Sequence, residues 1–205
     1  MKTKMTKLAL ALGTAGLLGS GYAYGGQIAC NGTFHDMTFD GNVIVKVGMT
    51  CILDEHVTIT GNLDVKGGTV WFREGDEHDV FGNVSVSDGG GFDGVLRVGC
   101  EGCGNTLLQI GTSSHAANLD VKNAIVSTGR HTSGDHRGTD TLTVFGNVSL
   151  KDTAGDSLSK TITTLNVNAT GPKPAGHNLD CKDDDVLFDD ANVSGKTNGD
   201  GSCLP

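Results

Sequence analysis

The sequence predicts an all-β protein, a right-handed parallel β-helix, with a β-sandwich as the alternative. Three observations predict it. A five-residue unit recurs along the chain, apolar and polar residues alternate within and before that unit, and no segment after residue 25 shows helical periodicity.

The unit reads Asn, an aliphatic residue, a polar residue, an apolar residue, then commonly Lys. Its copies begin at Asn42, Asn62, Asn83, Asn118 and Asn147, with weaker copies at Asn178 and Asn192. Gly41, Gly61, Gly82 and Gly146 precede four of them, and Gly-Asn is a turn that tolerates unusual backbone angles. A second strand often precedes the turn. Val57 and Ile59 alternate with His56, Thr58 and Thr60, and Leu142 and Val144 alternate with Thr141 and Thr143.

The first three copies start 20 and 21 residues apart, the length of one solenoid turn with two or three short strands. Stacked turns lie about 4.8 Å apart. Val43, Leu63, Val84, Leu119 and Val148 are then expected to form one inward column, and Val45, Val65, Val86, Val121 and Leu150 the next. The asparagines are expected to stack as a ladder at the corner. A unit this short cannot bury its own apolar side, so the turns depend on one another. A sandwich also uses short alternating strands, but the near-regular Asn unit favours the solenoid. The hexapeptide period of left-handed β-helices is absent, which favours the right-handed form. Later spacings of 35, 29 and 31 imply loops or further strands, with inserts expected near 88–105 and 128–140.

Lys2, Lys4 and Lys7 precede an apolar run from Leu8 to Leu18, and small residues follow at Gly21, Ala23 and Gly25. That order marks residues 1–25 as a secretory signal peptide and places the protein in a secreted, periplasmic or cell-surface setting. The run is too short for a mature membrane anchor, so no membrane span is expected. Residues 26–205 remain as a single domain. Gln27-Ile28-Ala29-Cys30 partly matches a lipobox, but Gln27 is polar and Cys30 lies well past the apolar run. Without its leader the chain keeps 12 basic side chains (15 less 3) against 24 acidic ones, a net charge of −12. That balance disfavours nucleic acid and anionic membranes and suits solubility or cation binding. The 32 glycines and 3 prolines fit frequent tight turns.

Six cysteines in an exported chain imply disulfides. Cys30 and Cys51 are 21 residues apart and Cys181 and Cys203 are 22 apart, so one solenoid turn places each pair in bridging range. Two bridges are expected, one near each end, each stabilising by about 3 kcal/mol. Cys100 and Cys103 are expected to form a local disulfide, with half of a zinc site, completed by His115 or another distant ligand, as the alternative; a redox dithiol lacks the thioredoxin-like βαβ context. Gly104 after Cys103 excludes a c-type haem attachment.

No catalytic signature is present. Asp183, Asp184, Asp185, Asp189 and Asp190 form an acidic segment that could hold Ca²⁺, but it matches an EF-hand loop poorly and a solvated acidic loop is the plainer reading. His131, Asp135, His136 and Arg137 form a candidate ligand loop for a transition metal or for acid–base chemistry, against the plainer reading of an exposed polar loop. Glu74, Asp76, Glu77, His78 and Asp79 are read as a solvated charged cluster. Lys46, Lys66, Lys122 and Lys151 make an outward lysine column that could bind an anionic polymer, but Asp64 and Asp120 beside it favour a solvated face. Thr58/Thr60 and Thr141/Thr143 do not recur turn after turn, so an ice-binding row is not expected.

The run from Cys30-Asn31-Gly32-Thr33, through Thr50-Cys51-Ile52-Leu53 and the Gly-Asn-Val units, to Cys181 and Gly201-Ser202-Cys203 resembles a group of small secreted bacterial right-handed β-helix proteins. The resemblance implies the fold and export, and no activity. The repeat also resembles the bactofilin core, but bactofilins are cytosolic and lack leaders and paired cysteines. The expected role is a non-enzymatic structural or surface protein: a rigid scaffold, matrix component, fibre subunit or adhesin, with itself as a partner by end-to-end assembly. The alternative is a Ca²⁺-dependent carbohydrate-binding protein or polysaccharide lyase, with extracellular polysaccharide as the partner.

Overall fold

The computed structural model describes residues 26–74, 77–100, 105–128, 140–154, 161–167, 177–182 and 187–199. Among them the chain forms 17 strands and no helix. In order these are β1 (Gln27–Ala29), β2 (Gly32–Phe39), β3 (Asn42–Lys46), β4 (Thr50–Ile59), β5 (Leu63–Lys66) and β6 (Thr69–Glu74). They continue with β7 (His78–Val80), β8 (Val84–Ser87), β9 (Gly94–Val98), β10 (Leu107–Ile110), β11 (Leu119–Thr128) and β12 (Thr141–Val144). The last are β13 (Val148–Ala154), β14 (Thr161–Val167), β15 (Leu179–Lys182), β16 (Leu187–Val193) and β17 (Thr197–Gly199). Every pairing between these strands is parallel, which two antiparallel sheets cannot produce.

The pairings sort into three ladders. Ladder one runs β1, β3, β5, β8, the first half of β11, the first half of β13, β15 and β17. Ladder two runs through the first halves of β2 and β4, then β6, β9 and the second halves of β11 and β13. Ladder three takes the ends of β2 and β4, then β7, β10, β12, β14 and β16. The long strands turn from one ladder to the next at single residues with positive φ. These are Asp36 (45°) and Glu55 (61°) between ladders two and three, and Asn123 (46°) and Asp152 (50°) between ladders one and two. Asn and Asp reach that region at little cost, whereas Glu55 is the uncommon occupant.

The inward columns follow the repeat. Val43, Leu63, Val84, Leu119, Val148 and Leu179 are register partners in turn, as are Val45, Val65, Val86, Val121, Leu150 and Cys181. All are buried, and each is worth about 1.5–3 kcal/mol of removed apolar surface. Ladder two adds Leu53, Phe72 and Val98, and ladder three adds Ile59, Val80, Ile110, Val144 and Val167.

The asparagine ladder forms at the corner from ladder three to ladder one. The backbone N–H groups of Asn62, Asn83, Asn118 and Asn147 each donate to the Oδ1 of the preceding asparagine at 2.8 Å. Asn178 continues the row at 3.0 Å, and Lys196 closes it at 2.9 Å on Asn178. The weaker copy at Asn192 is thus misplaced by four positions: Lys196 occupies the corner, and Asn192 sits in ladder three beside Asn166. Glycine precedes the corner residue at Asn42, Asn62, Asn83, Asn147 and Lys196, while Ala117 and His177 stand before Asn118 and Asn178. A Cβ on Gly82 would meet the Asn62 Oδ1 at 2.5 Å and the Gly61 carbonyl at 2.6 Å.

The segment 88–105 is not a simple insert, because its middle forms β9 within ladder two. Residues 129–139, which hold most of the second expected insert, lie outside the described residues, as do 1–25. Cys30 and Cys51 are joined with a Cα separation of 5.3 Å, as their spacing predicts.

Candidate functional site

The polar chemistry of the described residues concentrates at the corner between ladders two and three. His35, Asp54 and Arg73 stand there in three successive turns. Asp54 is buried and accepts two bonds from Arg73, one from Nε at 2.8 Å and one from Nη2. The His35 Nδ1 lies 3.5 Å from the same carboxylate. Arg73 also lies over the Trp71 ring at 5.8 Å, and the Trp71 indole N–H donates to the Gly99 carbonyl at 2.7 Å. Asp140, buried one ladder on, accepts the Thr106 N–H at 3.1 Å. Strand register pairs His35 with Asp54, and a register shift after Leu53 pairs Asp54 with Glu74, which leaves Arg73 as the extra residue beside the Asp54 carboxylate.

The Asp54 carboxylate faces the Nδ1 side of the His35 ring. Arg73 neutralises the carboxylate, whose burial would otherwise be costly. The arrangement orients an imidazole and ties three turns together. Among the described residues no three His, Cys, Asp or Glu side chains are placed to share a metal ion.

The outward row of ladder three begins beside this corner. Thr58, Asp79, Gln109, Thr143, Asn166 and Asn192 are successive register partners. Gln109 donates to Asp79 at 3.3 Å, Asn166 to Thr143 at 3.5 Å and Asn192 to Asn166 at 3.2 Å. Burial raises the Asp79 pKa above the ordinary aspartate value, and the Glu77 carboxylate adds to the rise. His56 and the Gln109 bond oppose it. The neighbouring His78 is not part of a solvated cluster. It is fully buried, points inward with Val57 and Leu108, and its ring centroid lies 5.3 Å from that of Phe72.

The outward face of ladder one differs. Lys46, Lys66, Ser87, Lys122, Lys151 and Lys182 form one row, so the expected lysine column gains Lys182 and has a gap at Ser87. Asp64, Ser85, Asp120, Ser149 and Asp180 form the parallel row. Lys66 and Asp64 make an ion pair at 2.8 Å.

Several expected sites fall beyond what is described. Asp183, Asp184 and Asp185, the ligand loop His131, Asp135, His136 and Arg137, and Cys103 and Cys203, with the two bridges expected of them, lie outside the described residues. Asp189 and Asp190 lie in β16 of ladder three. Cys100 is disulfide-bonded, and a disulfide sulfur is not the thiolate a zinc ion needs. His115 also stands at a different corner, in the turn where it pairs with Thr112. The zinc alternative is therefore set aside. No helix among the described residues is long and apolar enough to cross a membrane.

The sequence reading missed His35, Asp54 and Arg73. Their equal spacing of 19 residues was the available signal. Comparison with family models, with curated proteins and with solved structures returns no match to this chain.

Proposed function

We propose that the chain is an exported, non-enzymatic structural protein: a rigid rod at the cell surface or in an extracellular matrix, wound as a right-handed parallel β-helix. The observation that carries this reading is the unbroken asparagine row, in which turns of unequal length stack with the same 2.8–3.0 Å bond. The right-handed sense follows from the strong preference of parallel crossovers for that hand. Export is supported by the leader pattern and by a disulfide that an oxidising compartment preserves. The resemblance to small secreted bacterial β-helix proteins agrees.

Assembly is part of the proposal. Among the described strands, β1 pairs only with β3 and β2 only with β4, while β16 pairs only with β14 and β17 only with β15. Such edges accept another strand, and head-to-tail joining gives a filament. Electron microscopy and small-angle scattering of the purified mature chain test the reading. Rods or filaments are expected; compact round particles, or turnover of a polysaccharide, overturn it.

A second reading, a carbohydrate-binding protein or lyase that uses Ca²⁺, is favoured by the amide and hydroxyl row of ladder three and by the raised pKa of Asp79. Glycan binding or cleavage that a chelator abolishes supports it over the scaffold.

A further inference from the structure

The two outward rows of ladder one treat opposite charges differently. In the acidic row Asp64, Asp120 and Asp180 alternate with Ser85 and Ser149, so no carboxylates adjoin one turn apart. In the basic row Lys46 adjoins Lys66, and Lys122, Lys151 and Lys182 run consecutively. Like charges on facing strand positions destabilise a sheet. A face that separates its anions but stacks its cations, on a chain of net charge −9, is arranged to meet an anion. On this face, between Asp120 and Asp180, the Ser149 Oγ is screened from solvent and has no hydrogen-bond partner among the described residues.

The gap in the basic row carries the second observation. Ser87 is followed at once by a turn in which the Gly89 N–H donates to the Phe92 carbonyl at 2.8 Å. The Phe92 side chain is 61% exposed, the highest of the large apolar side chains described. The gap at Ser87 is thus followed, five residues on in the chain, by an exposed aromatic ring.

We propose that this face docks a linear polysaccharide bearing carboxylates, laid along the stacking axis. The amines meet uronate carboxylates, the aspartates accept from sugar hydroxyls, and Phe92 supplies an apolar platform for a sugar ring. Amines recur at about 4.8 Å, a step commensurate with single sugars of an extended chain. A DNA strand fits less well, because its backbone carries phosphates but no free hydroxyls to donate to the aspartates beside the amines. This surface is distinct from the ladder-three row of the second reading and does not require filaments.

Calorimetry on the mature, disulfide-bonded chain tests it with polygalacturonate oligomers, cellohexaose and single-stranded DNA as probes. Binding is expected with polygalacturonate alone. The combined Lys122→Gln, Lys151→Gln and Lys182→Gln variant should bind about tenfold more weakly, and Phe92→Ala about threefold more weakly, with unchanged circular dichroism. Gln109→Ala on ladder three should bind as the parent does. No binding of polygalacturonate, equal binding of either other probe, or parental affinity in both the lysine and Phe92 variants overturns the proposal. A loss confined to Gln109→Ala also overturns it and moves the site to ladder three.

Discussion

Ladders one and three share their inward chemistry and differ outside. Leu63, Val84 and Leu119 on one ladder and Ile59, Val80 and Ile110 on the other are equally buried aliphatic columns. Their outward rows diverge: one alternates Asp with Ser beside stacked lysines, while the other carries Thr, Asp, Gln, Thr, Asn and Asn. The interior is constrained by shape and dryness, so it looks alike everywhere. The exterior is free of that constraint, so any regularity there points to something outside the protein.

The contrast can be broken at several depths. Phe72→Ala empties the shared interior beneath both faces and should cost about 4 kcal/mol, read as a lowered denaturant midpoint. Arg73→Ala strips the buried Asp54 of its partner at the corner beside ladder three. It should cost about 3 kcal/mol, while a similar truncation of the exposed Lys122 on ladder one costs almost nothing. Asn83→Ala removes the acceptor of the Asn118 N–H at the corner joining the two ladders and should cost about 1 kcal/mol.

The smallest expected effect separates the faces by pH. Asp79 has a raised folded pKa, so its contribution to stability is full below the ordinary value of 3.8 and is lost as pH rises through the folded value. Asp79→Asn should therefore match the parent in acid and melt about 1 °C higher at neutral pH, a gain kept small by solvent screening. Asp64→Asn on ladder one loses its ion pair with Lys66 instead, so it should give no such gain. Melting curves across pH for the two variants check this.

Ladder one was legible in the sequence because its strands repeat one motif in one phase. Ladder two was not: Ile52, Trp71 and Arg97 share an outward column yet have nothing in common as residues. Its packing is set by register, which unequal turns conceal. The run Asn192-Val193-Ser194-Gly195-Lys196 imitated a further copy, although the corner glycine, Gly195, pointed to Lys196. His78 was misjudged from its charged neighbours, although it lies in phase with Val80, two residues on, and two residues is the period that keeps a side chain on the same side. The His35, Asp54 and Arg73 group was legible only as a spacing, since no local motif announces a contact between turns.

The corner glycines and asparagines have a consequence for how such a chain can change. Each corner recognises only the one beneath it, whatever the length of chain between them: 20 residues separate the first bonded pair and 35 separate another, at an equal 2.8 Å. Whole turns can then be added, removed or lengthened at a bend while every remaining joint is preserved. Duplication from one asparagine to the next would give a longer stack of strands with an intact seam, and the gene could vary the number of turns without redesigning the interior.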